Sequence, residues 1–189
     1  MKILNELNFI DDRYLTDKGS IHAYLPVYEK LLSPYRKKKV NIFEVGYQYG
    51  GSAVLWQRYF MYANIRSIDI RRWEPTGDRD DLRLYNKFIE PQGRIRLDFI
   101  DINNLPKEYF KDFTPDIAID DGSHLLHDQI TFINLVYPFL NPGGIMIVED
   151  ISNIDLQRSD FEKTGYEFEV IDLRKDTGLF DDVLLIFRK

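Results

Sequence analysis

The chain has 189 residues, a formal charge of −6 and no cysteine. That length suits one domain with a sizeable core, the acidic balance argues against a sequence-independent grip on nucleic acid, and the missing cysteines exclude disulfides and thiolate metal sites. The first twenty residues hold no long apolar core, and no segment approaches the ~20 apolar residues of a membrane span, so a cytoplasmic protein without a membrane partner is expected.

In chain order, residues 1–35 read as an N-terminal helical segment and 36–189 as the core of one domain. "RKKK", Arg36 to Lys39, reads as a solvated helix end. "VNIFEV", Val40 to Val45, is a buried strand, and Gly50 to Tyr59 a helix whose Trp56 and Tyr59, with Phe60, are spaced for the core. Strand Ile65–Ile70, helix Leu82–Ile89 and strand Ile95–Ile100 come next. Asp116 to Asp120 is the next strand, and a helix runs from about Leu126 to Leu140, where "NPGG" breaks it. Ile145 to Val148 is another strand. Tyr166–Leu173 and Val183–Phe187 close the chain as a hairpin with the turn residues "DTG" between them. The expected fold is α/β: a Rossmann-like, doubly wound, seven-stranded mixed sheet with a C-terminal antiparallel hairpin.

Ligands of such sheets bind beyond the carboxyl ends of the strands, where strand order reverses. Acids recur there: Glu44, Asp69, Asp98 (with Asp101 as a rival), Asp120 and Asp121, Glu149 and Asp150. "FEVGYQYGGS" follows the first strand and opens a helix, so Gly46, Gly50 and Gly51 allow close backbone approach and leave amides free. It is not G-x-G-x-x-G, because Tyr47 and Gln48 stand where the second glycine belongs. A nucleoside without pyrophosphate fits better. Asp69, twenty-three positions beyond Gly46, suits ribose hydroxyls, and Asp98 suits an adenine amino group.

"EVGYQYGGS", "IDI", "IDDGSH…Q" and "NPGGIMIVEDI" resemble class I S-adenosylmethionine-dependent methyltransferases, and more narrowly the metal-dependent sugar O-methyltransferases of macrolide biosynthesis, the mycinamicin and macrocin type. "TDKGSIHAYLPVYEKLL", Thr16 to Leu32, is similar to that group as well. The resemblance implies that Asp121, Glu149 and Asp150 bind a metal and that His124 is the catalytic base, with Asp121 also counted in the reacting site. It implies cofactor contacts from Glu44, Gly46, Tyr47, Gly51, Ser52, Asp69 and Asp98, and from Thr16 and Lys18 in a lid spanning Thr16 to Tyr24. Against that group the chain reads as short, without the added N-terminal region, and carries a charged loop, Arg71 to Asp81.

The implied reaction is methyl transfer from S-adenosylmethionine to a hydroxyl of a sugar or glycosylated small molecule. A divalent cation would orient the diol and His124 would take the proton. Carboxylate ligands suit Mg²⁺ first, with Mn²⁺ and Ca²⁺ compatible. Side chains alternate along a strand, so Asp121 is given to the metal and Asp120 to the cofactor side or the loop, with Gly122 allowing a sharp turn. For the same reason Glu149 and Asp150 converge on one ion only if the backbone leaves β geometry there. His127 reads as helix surface or support, His22 as either a contact or a packed residue, and Trp73 as either a stacking aromatic or a loop anchor. A catechol-like acceptor, a nucleoside-binding module without turnover and a hydroxylase-like relative are the alternative readings. The aromatic N-terminal half leaves room for a contact between copies.

Overall fold

The chain opens with helix α1 (Ile3–Leu7), a pair of two-residue antiparallel strands, β1 (Phe9–Ile10) and β2 (Arg13–Tyr14), and helix α2 (Tyr24–Leu32). Then come β3 (Lys39–Val45), α3 (Gly51–Tyr59), β4 (Tyr62–Asp69), β5 (Ile95–Phe99), β6 (Ile117–Asp120), α4 (Leu126–Val136) and β7 (Ile145–Val148). Helix α5 (Ile154–Glu162), β8 (Phe168–Asp172), the short α6 (Arg174–Thr177) and β9 (Val183–Arg188) complete it. The computed structural model describes residues 3–10, 13–70 and 93–189. The loop Arg71–Asp81 with Trp73 and the helix expected over Leu82–Ile89 lie outside the described residues.

Seven described strands form one sheet in the order β5-β4-β3-β6-β7-β9-β8. The first five are parallel, and β9 runs antiparallel to both β7 and β8. This is the expected Rossmann-like mixed sheet. The chain runs outward from β3 through β4 to β5, then returns to β6 on the other side of β3. The reversal falls between β3 and β6, whose last residues, Val45 and Asp120, are partners. Ligand sites of open parallel sheets form at such a point.

Three features depart locally from expectation. Helix α5 is polar, "IDLQRSDFE", and buries only Ile154 and Phe161, so its apolar pattern is too sparse to read. "DTG" is not a simple turn: Asp176 and Thr177 end α6, and Gly178 closes it at φ 78°. The helix expected to Leu140 stops at Val136, and Tyr137–Phe139, with its proline, continues as a tighter turn.

Strand alternation divides the core in two. Val40 and Ile42 of β3 pack on one face with α2 and α3, beside Tyr28 and Trp56. Phe43 and Val45 pack on the other with Phe132 and Phe161. The same alternation carries past the strand ends. It sends Glu44, Asp121 and Glu149 toward the α2/α3 face, and Asp120 toward the opposite one. Among the described residues no helix is long and apolar enough to cross a membrane.

Gly46 joins β3 to this arrangement. Its φ is +90°, and a Cβ there would sit 1.8 Å from the carbonyl oxygen of Asp121. Any side chain must push apart the two strand ends that flank the switch point. Gly46→Ala is expected to cost ~2 kcal/mol or more of stability from backbone strain and overpacking. A denaturant midpoint equal to that of the unsubstituted protein would contradict this.

Candidate active site

A cleft of about 630 Å³ opens over the switch point. One wall is the loop Gly46–Gly51 with Ser52, Asp69, Asp101 and Ile102, and the other is the loop Asp120–His124 with Asp150 and Asp181. Thr16, Asp17 and His22 of the N-terminal segment lie across it.

The cofactor wall is built around Asp69, whose Oδ2 accepts hydrogen bonds from the amides of Tyr47 (2.9 Å) and Gln48 (2.8 Å). The acid at the end of β4 thus holds the glycine loop in shape. Gly51 starts α3 directly beneath the N-terminal segment, and a Cβ there would lie 1.7 Å from the Leu15 carbonyl oxygen. The glycines therefore serve backbone packing as well as any ligand. Of the residues expected to touch cofactor, Thr16, Gly46, Tyr47, Gly51, Ser52, Asp69 and Asp120 line the cleft.

Glu44, Lys18 and Asp98 do not line it. Glu44 is buried under the loop, where it accepts from Ser52 Oγ (2.9 Å) and Trp56 Nε1 (3.1 Å). Burial pushes its carboxyl up to about 7, against the pull of Lys18. Asp98 is drawn sideways by Tyr109, whose hydroxyl donates to it at 2.7 Å, and by Arg96 at 2.8 Å. Asp101, the rival, occupies the cleft wall in its place.

On the second wall, Lys18 Nζ lies between Asp121 Oδ2 (2.5 Å) and Glu149 Oε2 (2.7 Å). The Tyr28 hydroxyl donates to the other Glu149 oxygen at 2.5 Å. Burial would lower the Lys18 pKa, but Asp121 and Glu149 outweigh it and hold the ammonium well above its ordinary value. Tyr24 donates to Asp150 Oδ1 at 2.6 Å, and the imidazoles of His22 and His124 approach Asp150 at 3.6 and 3.4 Å. His22 Nδ1 donates at 3.1 Å to Asp182, a fully buried carboxylate. His127 is exposed on α4.

Strand β7 ends at Val148 and Asp150 has φ +55°, so the backbone does leave β geometry at the acid pair. This turns Asp150 back toward Asp121 and His124, and ligand atoms of those three residues lie within 4.8 Å of one another. Glu149 stays with Lys18 and Tyr28. The left-handed residue of the loop after β6 is His124 (φ +60°), not Gly122, which instead leaves room for Val45 and the Asp120 carboxylate. Among the described residues, the non-glycine residues with positive φ are Gln48, His124 and Asp150. All three line the cleft, which is where backbone strain tends to be kept for function.

The sequence marks Tyr24 only as the end of the lid segment and does not mark Tyr28. Four apart on α2, they look like an apolar helix stripe, and only their hydroxyls reveal the contact with the acids. Asp182 carries no signal either, since its partner His22 is 160 residues away.

No family model matches the chain. It is 30% identical, over an alignment of 155 positions that covers 74% of its length, to 8-demethyl-8-α-L-rhamnosyl tetracenomycin-C 2'-O-methyltransferase of Streptomyces olivaceus. It is 28% identical, over an alignment of 203 positions, gaps included, that covers 94% of its length, to demethylmacrocin O-methyltransferase of Streptomyces fradiae. These alignments span 36% and 46% of the two relatives, so the chain covers less than half of either. In structure it is similar to the MycE methyltransferase of the mycinamycin biosynthetic pathway, solved with Mg, SAH and mycinamycin VI. The TM-score is 0.69 at 22% identity, over 98% of this chain and 53% of that one.

Asp120 gives a pH-dependent test. It is 5% exposed, one carboxylate oxygen has no hydrogen-bond partner, and burial pushes its carboxyl from 3.8 up to about 7. The folded chain then keeps a proton that the unfolded chain has lost between about pH 4 and 7. Stability from this group falls as pH rises through that window. Asp120→Asn removes the penalty, so the variant is expected to match the parent near pH 4 and to exceed it by roughly 2–4 kcal/mol above pH 7. Denaturant melts at the two pH values check this, and a difference independent of pH would contradict it.

Proposed function

We propose that this chain, by sequence and fold a relative of the class I S-adenosylmethionine-dependent methyltransferases of the mycinamicin and macrocin type, methylates a hydroxyl of a sugar or glycosylated small molecule. The observation that carries the proposal is one cleft with two unlike walls. A glycine loop braced by Asp69 faces a group of Asp121, His124 and Asp150. The first wall suits a nucleoside cofactor, and the second suits a hydroxyl that must be oriented and deprotonated. Matched relatives are named as O-methyltransferases of a rhamnosyl tetracenomycin and of an olivosyl-oleandolide, which supports the acceptor class.

The cofactor supplies an electrophilic methyl group. The chain's part is to hold it: Asp69 and the glycine loop at the nucleoside, Thr16 over it, Asp101 at the position expected for the base, and Asp120 in the cleft wall. Asp121 and Asp150 offer hard oxygen donors, which fit Mg²⁺, and Mn²⁺ or Ca²⁺ as well. A divalent cation held there would orient a vicinal diol and lower the pKa of one hydroxyl. His124, beside Asp150 and 43% exposed, is placed to take that proton. The described residues would act as a single methyltransferase domain, with Lys18 to Tyr28 as its inner lining.

Turnover of a sugar acceptor, followed as S-adenosylhomocysteine release, tests the reading. A chelator is expected to abolish activity, and His124→Ala to lower it ~10²–10⁴-fold. Full activity in both experiments would sink the mechanism. A parallel series of catechol acceptors, which call on the same cation chemistry, decides the acceptor class.

A further inference from the structure

His22 lines the cleft, and no step of the proposed reaction uses it. It lies just before α2, where its backbone amide donates to the Asp17 carbonyl at 3.0 Å. Its ring stacks on Tyr24, with centroids 4.8 Å apart and planes 17° from parallel. Nδ1 lies 3.1 Å from Asp182 Oδ1, and Asp182, the residue before β9, is fully buried. A carboxylate only accepts hydrogen bonds, so it draws the imidazole hydrogen to Nδ1. In the neutral ring Nε2 is then the acceptor. Among the described residues nothing donates to Nε2, and the side chain is 14% exposed. An acceptor fixed in a cleft wall without a donor of its own is a place for the O–H of a ligand.

The same ring flanks Asp150. Its Nδ1 lies 3.6 Å from Asp150 Oδ1, while His124 Nδ1 lies 3.4 Å from Oδ2. Two imidazoles thus stand beside different oxygens of one carboxylate. His124 is placed for the proton of the reacting hydroxyl. From this arrangement we infer that His22, held in one tautomer by Asp182, binds the acceptor: its Nε2 accepts a hydrogen bond from a second hydroxyl, next to the one that is methylated. The inference rests on the reading of the cleft as a sugar O-methyltransferase site. It gives the chain a means, separate from any cation, of selecting sugars with two adjacent free hydroxyls. His22 holds that second hydroxyl and takes no proton from it. Asp182 is the positioning residue behind it.

Two measurements test this. The first is a two-bond ¹H–¹⁵N spectrum of the imidazoles at about pH 8, above the ordinary imidazole range. His22 is expected to carry its hydrogen on Nδ1 and none on Nε2. A hydrogen on Nε2 would overturn the inference. The second compares kcat/KM for methyl α-L-rhamnoside, a probe suggested by the rhamnosyl compound in one relative's name, and for its analogue deoxygenated beside the methylated position. His22→Phe keeps a ring against Tyr24 but strands the Asp182 carboxylate. H22F/D182N leaves no unpaired buried ion, so it is the variant expected to fold. In it the preference for the rhamnoside over the deoxy analogue is expected to shrink about tenfold or more, with turnover of the deoxy analogue within about threefold of the parent. An equal loss on both sugars would mark a structural role and overturn the inference. Mn²⁺ affinity, measured by calorimetry, is expected to stay within about threefold of the parent, and a loss of about tenfold or more would overturn the inference by making Nε2 a metal ligand. Failure of the underlying reading shows differently: the parent itself would then leave the rhamnoside unmethylated, whatever the tautomer of His22.

Discussion

A single buried ammonium ties the second wall of the cleft together. Lys18 brings the N-terminal segment onto the carboxyl ends of β6 and β7, and without it Asp121 and Glu149 would face each other unscreened. Removing one partner of a buried ion pair typically costs 3–5 kcal/mol, because the survivor keeps its desolvation cost. Residues just beyond Lys18 in the chain extend the same clamp. His22 and Tyr24 reach Asp150, and Tyr28 reaches Glu149. Four side chains within eleven residues thus engage all three acids that the family resemblance marks as metal-binding. The segment from Thr16 to Tyr24 thus serves two places: Thr16 lies across the cleft, while Lys18, His22 and Tyr24 touch the acids.

The cofactor wall depends on a different constraint, close backbone approach. Gly46 lies against the Asp121 carbonyl and Gly51 against that of Leu15, so the cofactor wall meets the second wall and the N-terminal segment through positions that admit no side chain. Strain is placed where the chemistry is proposed, at Gln48, His124 and Asp150. Such positions persist only when their surroundings over-determine them. Here the surroundings are the Asp69 bonds to the glycine loop and the Tyr24 bond to Asp150. The geometry is thus preset by the fold before any ligand arrives, as sites built on rigid elements require.

Most of this architecture is legible in the sequence. Runs such as "VNIFEV" and "IMIV" are buried on both faces, and their composition says so. The acids at their ends mark the switch point without further help. Period-2 alternation also separates Asp120 from Asp121, and it states in advance the condition under which Glu149 and Asp150 differ in direction. What alternation cannot supply is long-range partnership. Asp98 reads as the adenine contact with Asp101 as a rival, and nothing local shows that Tyr109 and Arg96 bind Asp98 while Asp101 lines the cleft. Glu44 reads as a cofactor contact, and nothing local shows that Ser52 and Trp56 donate to both its oxygens. Lys18 reads as part of a lid motif, because nothing local shows that its partners lie 103 and 131 residues on. Helix α5 escaped for the opposite reason, a local pattern too polar to register.

The central claim is that Asp121 and Asp150, brought together by the positive φ of Asp150, form with His124 the wall of the cleft at which a cation is proposed to bind. A crystal soaked in Mn²⁺ and phased on the anomalous signal of manganese tests it most directly. The account predicts one Mn²⁺ peak in the cleft on the carboxylates of Asp121 and Asp150, beside His124. A peak away from these acids, or none, would contradict it.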